Sequence, residues 1–209
     1  LNLTGKTGGS VTVNGALSAG ALTTVGNAYN ITLNGGGTIT AAVSFLNTGS
    51  LTIDASGFTF TGGASKVTGA KSFDGTISST NAALNFGTAG AITLAGSTTF
   101  SSGTGAITLF DVTALNFNLV LQGSGADVLA AVSLGTGTLN LTGKTGGSVT
   151  VNGALTAATL STIGNAYNVA ILGSGTTITN LVTFSNTGSV TLGDAALDTL
   201  TFNGGITAT

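Results

Sequence analysis

The chain has 209 residues with 35 glycines, and it lacks proline, cysteine, methionine, tryptophan and histidine. Charged residues make up 5% of it, against roughly a quarter in an ordinary domain. Without histidine, cysteine or glutamate, the usual zinc sites, a thiol nucleophile and a Ser-His-Asp triad are excluded, and four lysines are too few to neutralise a run of phosphates. The composition therefore predicts no enzyme, no cofactor or metal, and no nucleic-acid partner.

Apolar residues come in twos and threes, separated by Thr, Ser, Asn and Gly, so no membrane span is expected although mean hydropathy is +0.54. Disordered chains are poor in apolar residues and rich in charge, which is the opposite of this composition. No signal peptide is visible and there is no methionine, so we expect the mature fragment of a longer protein.

A five-residue pattern recurs along the chain: Gly or Tyr, a spacer, an apolar residue, Thr and a second apolar residue. The copies, some of them imperfect, begin at Gly9, Tyr29, Gly49, Gly69, Gly90, Gly105, Gly125, Gly147, Tyr167 and Gly188. Their spacing is about 20 residues, a fixed period that indicates stacked repeats, and only the step from Gly90 to Gly105 is clearly shorter. Alternating apolar residues predict a half-buried strand in each copy, and the Gly, Asn and Ser clusters between copies predict tight turns.

Further apolar runs predict one or two more strands in each period. They are Val43–Phe45, Phe58–Phe60, Leu115–Leu121 and Leu200–Phe202. A unit this short cannot bury its own apolar face, whereas stacked units pair their backbones and form a continuous core. The sequence thus predicts one all-β domain over 1–209, a parallel β-solenoid (a right-handed β-helix) of about ten coils of roughly 20 residues. The alternative fold is a string of bacterial Ig-like sandwiches, but these repeat at about 100 residues, so a period of about 20 argues against them.

The phase of the pattern predicts which side chains stack. The first inward column is Val11, Ile31, Leu51, Ile92, Ile107, Val149, Val169 and Val190, and the second lies two positions further on. Lys71 and Asp127 fall in the first column, so either those coils are out of phase or the register is wrong there. Asp127–Leu134 is left open between a short helix capped by Asp127 and a pair of strands.

A longer repeat contains the short one. Leu1–Leu17 recurs unchanged at Leu139–Leu155, and the offset between the two is close to seven short periods. We therefore divide the chain into a long unit, 1–138, and a partial second copy, 139–209, and we expect more copies beyond both ends.

Outward threonines and two equivalent tyrosines are the candidate surface contacts. The threonines are predicted to form one row, which includes Thr12, Thr32, Thr52, Thr150 and Thr191. Tyr29 and Tyr167 correspond through the long repeat, and each is either an exposed aromatic contact or part of the wall packing. Asp194 and Asp198, the closest acids, would lie about 13 Å apart on an extended strand, too far for a catalytic pair.

Repeated GSVTV, NTGSLTI and GAITL, in a chain dominated by Gly, Ala, Thr, Asn and Val, resemble the β-strand-repeat surface proteins of bacteria. These include filamentous-haemagglutinin-like adhesins and autotransporter passengers. The resemblance implies export, an extracellular or cell-surface location and a role as a stalk or fibre.

Three functions follow as expectations. The first is a structural segment of a long solenoid filament, stalk or matrix fibre, whose partner is itself, end to end or side by side. The second is an adhesin or carbohydrate-binding module that contacts host-surface or matrix glycans. The third is an ice-binding solenoid, because a flat rank of threonines can order water.

Overall fold

A computed structural model describes residues 1–54 and 57–209, and within these ranges every regular element is a β-strand and every strand pair is parallel. The strands are, in chain order, β1 (Gly9–Val13), β2 (Leu17–Ala19), β3 (Tyr29–Leu33), β4 (Gly37–Ile39), β5 (Val43–Ser44), β6 (Leu51–Ile53), β7 (Phe58–Phe60), β8 (Ala64–Ser65), β9 (Lys71–Ser78), β10 (Leu84–Phe86), β11 (Ile92–Ser101), β12 (Ile107–Leu109), β13 (Val112–Thr113), β14 (Leu119–Gly123), β15 (Ala126–Leu129), β16 (Val132–Ser133), β17 (Thr138–Lys144), β18 (Ser148–Val151), β19 (Leu155–Ala157), β20 (Thr159–Ser161), β21 (Asn168–Ile171), β22 (Thr176–Ile178), β23 (Val182–Phe184), β24 (Val190–Leu192), β25 (Leu200–Phe202) and β26 (Ile206–Ala208).

The strands stack into three walls around one core. Wall 1 is β1-β3-β6-β9-β11-β13-β16-β19-β22-β25, and wall 3 is β5-β8-β10-β12-β15-β18-β21-β24. Wall 2 is β2-β4-β7, the second halves of β9 and β11, then β14-β17-β20, with the pair β23-β26 beyond it. The chain visits walls 1, 2 and 3 in turn. Most coils contribute a strand to each wall, β9 and β11 each continue from wall 1 into wall 2, and the first and last coils have no described strand on wall 3.

The vertical register confirms the solenoid prediction. Val11 pairs with Ile31, and Ile31 pairs with Leu51. Following wall 1 from Val11 to Leu200 takes nine turns, or about 21 residues a turn, close to the ten coils of roughly 20 predicted. Alternation places apolar side chains inside, where they form a single buried cluster.

The residues of the predicted inward column form two separate columns on two walls, and not one continuous column. From Val11 to Ile92 its members lie on wall 1, whereas from Ile107 to Val190 they lie on wall 3. Ile92 pairs onward with Val112, and Ile107 pairs back to Leu84. The short step from Gly90 to Gly105 is the cause, because it spans two walls of one coil instead of a whole turn.

The long repeat is consequently not a whole number of coils. From Val11 to Ile92 the chain completes four coils, the short step to Ile107 covers two of three walls, and two further coils lead to Val149. The offset between the two copies therefore equals six and two-thirds turns, not the seven periods predicted. Val11 and Val149, in identical sequences, lie on different walls.

The open alternative over Asp127–Leu134 is resolved as two strands, β15 and β16. Of the further strands predicted, three agree closely with the structure, but only the end of Leu115–Leu121 is a strand. Leu115 is 79% exposed in the loop before β14.

Candidate functional site

Outward side chains on wall 1 form an unbroken rank of hydroxyls, one on each of its ten strands. In stacking order the rank is Thr12, Thr32, Thr52, Ser72, Thr93, Thr113, Ser133, Thr156, Thr177 and Thr201. None of these residues is buried. Neighbouring strands of a sheet are about 4.8 Å apart, so the hydroxyl rank is a regular row along the whole wall.

The rank keeps its hydroxyls available. On wall 2, Thr59 and Ser78 on neighbouring strands bond to each other at 2.9 Å, and so do Thr183 and Thr207 on the separate pair β23-β26. Within the described residues, by contrast, no hydroxyl of the wall 1 rank makes an intramolecular hydrogen bond. Each therefore retains a donor and acceptor for water or a partner.

The single threonine row predicted from the sequence is wrong, because it joins two walls. Thr12, Thr32 and Thr52 belong to the wall 1 rank, whereas Thr150 and Thr191 lie on wall 3. Wall 3 carries no continuous hydroxyl rank, since Val128 and Ala170 occupy the same outward row. The five wall 1 members beyond Thr93 were missed, although the short period counted on from Thr93 reaches Thr113 and Ser133.

Both candidate tyrosines lie in the core, so the surface-contact alternative is wrong and the wall-packing one holds. Tyr29 is 0% and Tyr167 1% exposed. Each phenol oxygen accepts a hydrogen bond from a backbone amide four positions earlier, Val25 at 3.1 Å and Ile163 at 3.0 Å. Burial raises the pKa of Tyr167, and the hydrogen bond from Ile163 opposes it.

An asparagine follows each tyrosine at the same corner, one coil on. Asn47 Nδ2 donates to the carbonyl of Tyr29 at 2.9 Å, and Asn186 Nδ2 donates to that of Tyr167 at 3.0 Å. The adjacent backbones pass so closely that a Cβ on Gly49 would collide with the Tyr29 carbonyl oxygen. The side-chain oxygens of both asparagines are buried without a hydrogen-bond partner within the described part of the chain.

Three of the four lysines are buried, which sequence reasoning did not anticipate. Lys71 pairs with Leu51 in the expected register and points inward, so the out-of-phase coil and the wrong register offered for it are both wrong. Its ammonium donates to the carbonyls of Gly69, Ala89 and Gly90. Lys66 Nζ donates to the carbonyl of Asn47 at 2.6 Å. Burial, with the charge of Lys71 adding to it, lowers the pKa of Lys66 to about 8, and burial lowers the pKa of Lys71.

Asp127 and Lys144 form a fully buried ion pair. Lys144 Nζ lies 2.6 Å from Asp127 Oδ2, and both side chains are 0% exposed. Asp127 Oδ1 also accepts the amide of Ile107 at 2.9 Å, and Lys144 also donates to the carbonyl of Gly125. Burial raises the pKa of Asp127, while Lys144 and the Ile107 amide oppose the shift. Both explanations offered for Asp127, a coil out of phase or a wrong register, are therefore wrong. Asp127 pairs with Val149 in the expected register and points inward, where Lys144 balances its charge.

Asp194 and Asp198 lie in a turn, not on the extended strand assumed above. Asp198 Oδ2 accepts the amides of Asp194 and Ala195, both at 2.8 Å, and these bonds lower the pKa of Asp198. The Asp198 carboxylate therefore holds the turn 194–198 closed through these two backbone amides.

Residues 1–54 and 57–209 contain no group of three or more side chains able to hold a metal ion. Over the same ranges, no helix is long and apolar enough to cross a bilayer. Searches of protein-family models, curated proteins and solved structures each found no match. The resemblance to bacterial surface repeats accordingly stays a prediction that rests on residue pattern alone.

Proposed function

We propose that this chain is a structural segment of a long extracellular or cell-surface β-solenoid, which serves as a stalk, filament or matrix fibre. The observation that carries the proposal is the unbroken pairing of wall 1, in which ten strands stack in parallel from β1 to β25. Stretching such a rod requires breaking several backbone hydrogen bonds in a coil together, so the stack is stiff along its axis.

Composition supports the same role. The walls carry little charge, which lets rods lie side by side, and the absence of cysteine and methionine removes the side chains most easily oxidised. At one end of wall 3, no described strand pairs with β24 beyond β21. An unpaired strand edge is a template for another strand, so stacking of a second copy is the route to fibres.

Electron microscopy and sedimentation of the purified chain test the proposal. We expect fibres one solenoid wide that lengthen with concentration. Val190 is at an inward position of β24, the last strand of wall 3, but it is 37% exposed because no described strand covers it. Val190→Asp should shorten the fibres, because a stacked copy would bury the charge, whereas Thr191→Asp on the same strand faces outward and should not. Compact monodisperse particles at every concentration would contradict the proposal.

A second candidate function, ordering of water at an ice surface, is supported by the hydroxyl rank of wall 1. Ten regularly spaced hydroxyls that make no internal hydrogen bond within the described chain leave a row free to bind ordered water. Over the described residues, wall 2 has a shorter row that ends at Ser101, in which Thr59 and Ser78 bond to each other, and wall 3 has no continuous row. Wall 1 is therefore the better candidate surface.

The chain contains a matched control for this candidate. Gly90–Leu94 and Gly105–Leu109 share the sequence GAITL, but Thr93 lies in the wall 1 rank and Thr108 on wall 3. If wall 1 binds ice, Thr93→Lys should reduce thermal hysteresis and Thr108→Lys should leave it unchanged. Absence of hysteresis in the unaltered protein removes the candidate.

An adhesin or glycan-binding role has less support from the structure than the other two functions. The two tyrosines offered for it are in the core. A glycan array on the purified chain would revive this role if binding depended on outward residues.

A further inference from the structure

The two copies of the repeated sequence, Leu1–Leu17 and Leu139–Leu155, have the same local structure. Asn2 Oδ1 accepts the amide and hydroxyl of Thr4, and Asn140 Oδ1 does the same for Thr142. One coil later, the equivalent asparagines 27 and 165 donate to the carbonyls of the equivalent lysines 6 and 144, at 2.7 and 2.8 Å. Lys144 therefore serves as a template for the surroundings of Lys6.

What differs between the copies is the coil beneath them. In the second copy, β18 lies between β15 and β21, and β15 supplies Asp127 to Lys144. In the first copy, β1 pairs with β3 alone among the described residues, and Lys6 is half-buried without an ion pair there.

The apolar side chains show the same difference. In the second copy Val149, Val151 and Leu155 are at most 1% exposed. Their first-copy counterparts are only partly buried against the core; these are Val11, Val13 and Leu17. The open edge of β1 thus has the inward residues of an internal coil without a coil to cover them.

We propose that the open edge of β1, together with Lys6, is an acceptor for a parallel β-strand that carries an inward aspartate opposite Val11. The register follows from the template, in which Asp127 pairs with Val149. Two positions before that aspartate the strand offers a backbone carbonyl to the lysine, as Gly125 does to Lys144 at 2.9 Å. The partner is therefore a coil with the sequence of Gly125–Leu129.

Charge is the reason for this choice of partner. An apolar strand would cover the Lys6 ammonium without supplying an opposite charge, which is costly, whereas an aspartate neutralises it. The stack of this chain on itself would place Leu200, the inward residue at that level of β25, near Lys6. The proposal rests on the rod function and deepens it by naming the coil that fits this end best.

The test places a copy of residues 118–138 directly before Leu1, since this segment precedes the second copy in the chain. Hydrogen exchange then reports on β1, above all on the amide of Ser10, because its equivalent Ser148 donates to the Gly125 carbonyl. We expect the extension to slow that exchange at least tenfold. An extension with its aspartate changed to asparagine should lose most of the protection.

Lys6→Met provides the control, because the two extensions should protect this variant equally. Equal protection of the unaltered chain by both extensions would overturn the acidic-strand inference and leave the rod proposal standing. No protection by either extension would overturn the inference entirely, and the fibre assay above would then decide the rod proposal independently.

Discussion

Residues 1–17 and 139–155 are identical in sequence, yet they occupy different walls and different depths of the solenoid. Strand β1 is on wall 1 with an open edge, and β18 is on wall 3 between two neighbours. Local turns and hydrogen bonds are the same in both. The comparison shows that the walls are interchangeable for this sequence, and that burial depends on what stacks above and below.

The largest expected loss of stability comes from breaking the ion pair of Lys144, which within the described residues has no counterpart at Lys6 in the first copy. Asp127→Ala leaves the Lys144 ammonium buried without a counter-charge, which should cost about 3–5 kcal/mol of unfolding free energy. Denaturant unfolding measures it. Lys6→Met, at the equivalent of Lys144, should change stability by less than about 0.5 kcal/mol. A similar loss from both changes would contradict the comparison.

A leucine shared by the two copies gives the next effect. Leu155 is 0% exposed, so Leu155→Ala should cost about 2–5 kcal/mol. Leu17→Ala, in the same sequence but only partly buried, should cost half of that or less. Thermal unfolding of the two variants side by side is the measurement, and equal losses would show that the first coil is as well covered as the second.

The buried Lys66 belongs to the long unit, 1–138, and gives it a pH dependence. The Lys66 pKa falls from 10.5 to about 8, so between these values the unfolded state binds more protons than the folded state. The free energy of unfolding should therefore rise as pH increases from 8 to 10, by about 2 kcal/mol. Lys66→Met should flatten this rise. A stability that falls from pH 8 to pH 10 in the unaltered chain would contradict the burial of Lys66.

The smallest effect should be equal at the two equivalent tyrosines. Tyr29→Phe and Tyr167→Phe each remove the acceptor of one backbone amide, at a cost of about 1 kcal/mol. Both tyrosines are fully buried, so the two losses should agree within about 0.5 kcal/mol in denaturant titrations. A clear difference would mean that the wall, and not only the local sequence, sets the strength of this bond.

Much of the fold was predictable because alternation and period are local properties. The pairing of Val11 with Ile31 and Leu51 follows from counting one short period at a time. The same count places Lys71 and Asp127 at inward positions, but a charge there indicated a fault of phase or register, because the groups that satisfy each charge come from other coils. The surface was less predictable. Thr93 and Thr108 lie in identical five-residue stretches, and only the number of walls between them separates the hydroxyl rank from wall 3.

Sequence alone determined the strands, their inward and outward faces and the coil length, because each depends on a short stretch of alternating residues and turn-forming glycines. Tertiary structure alone decided which wall each strand joins, which lysine finds an aspartate, and that both tyrosines are covered. Those outcomes depend on the cumulative length of every corner before them, and the one short step, from Gly90 to Gly105, moves all later copies of the pattern to another wall.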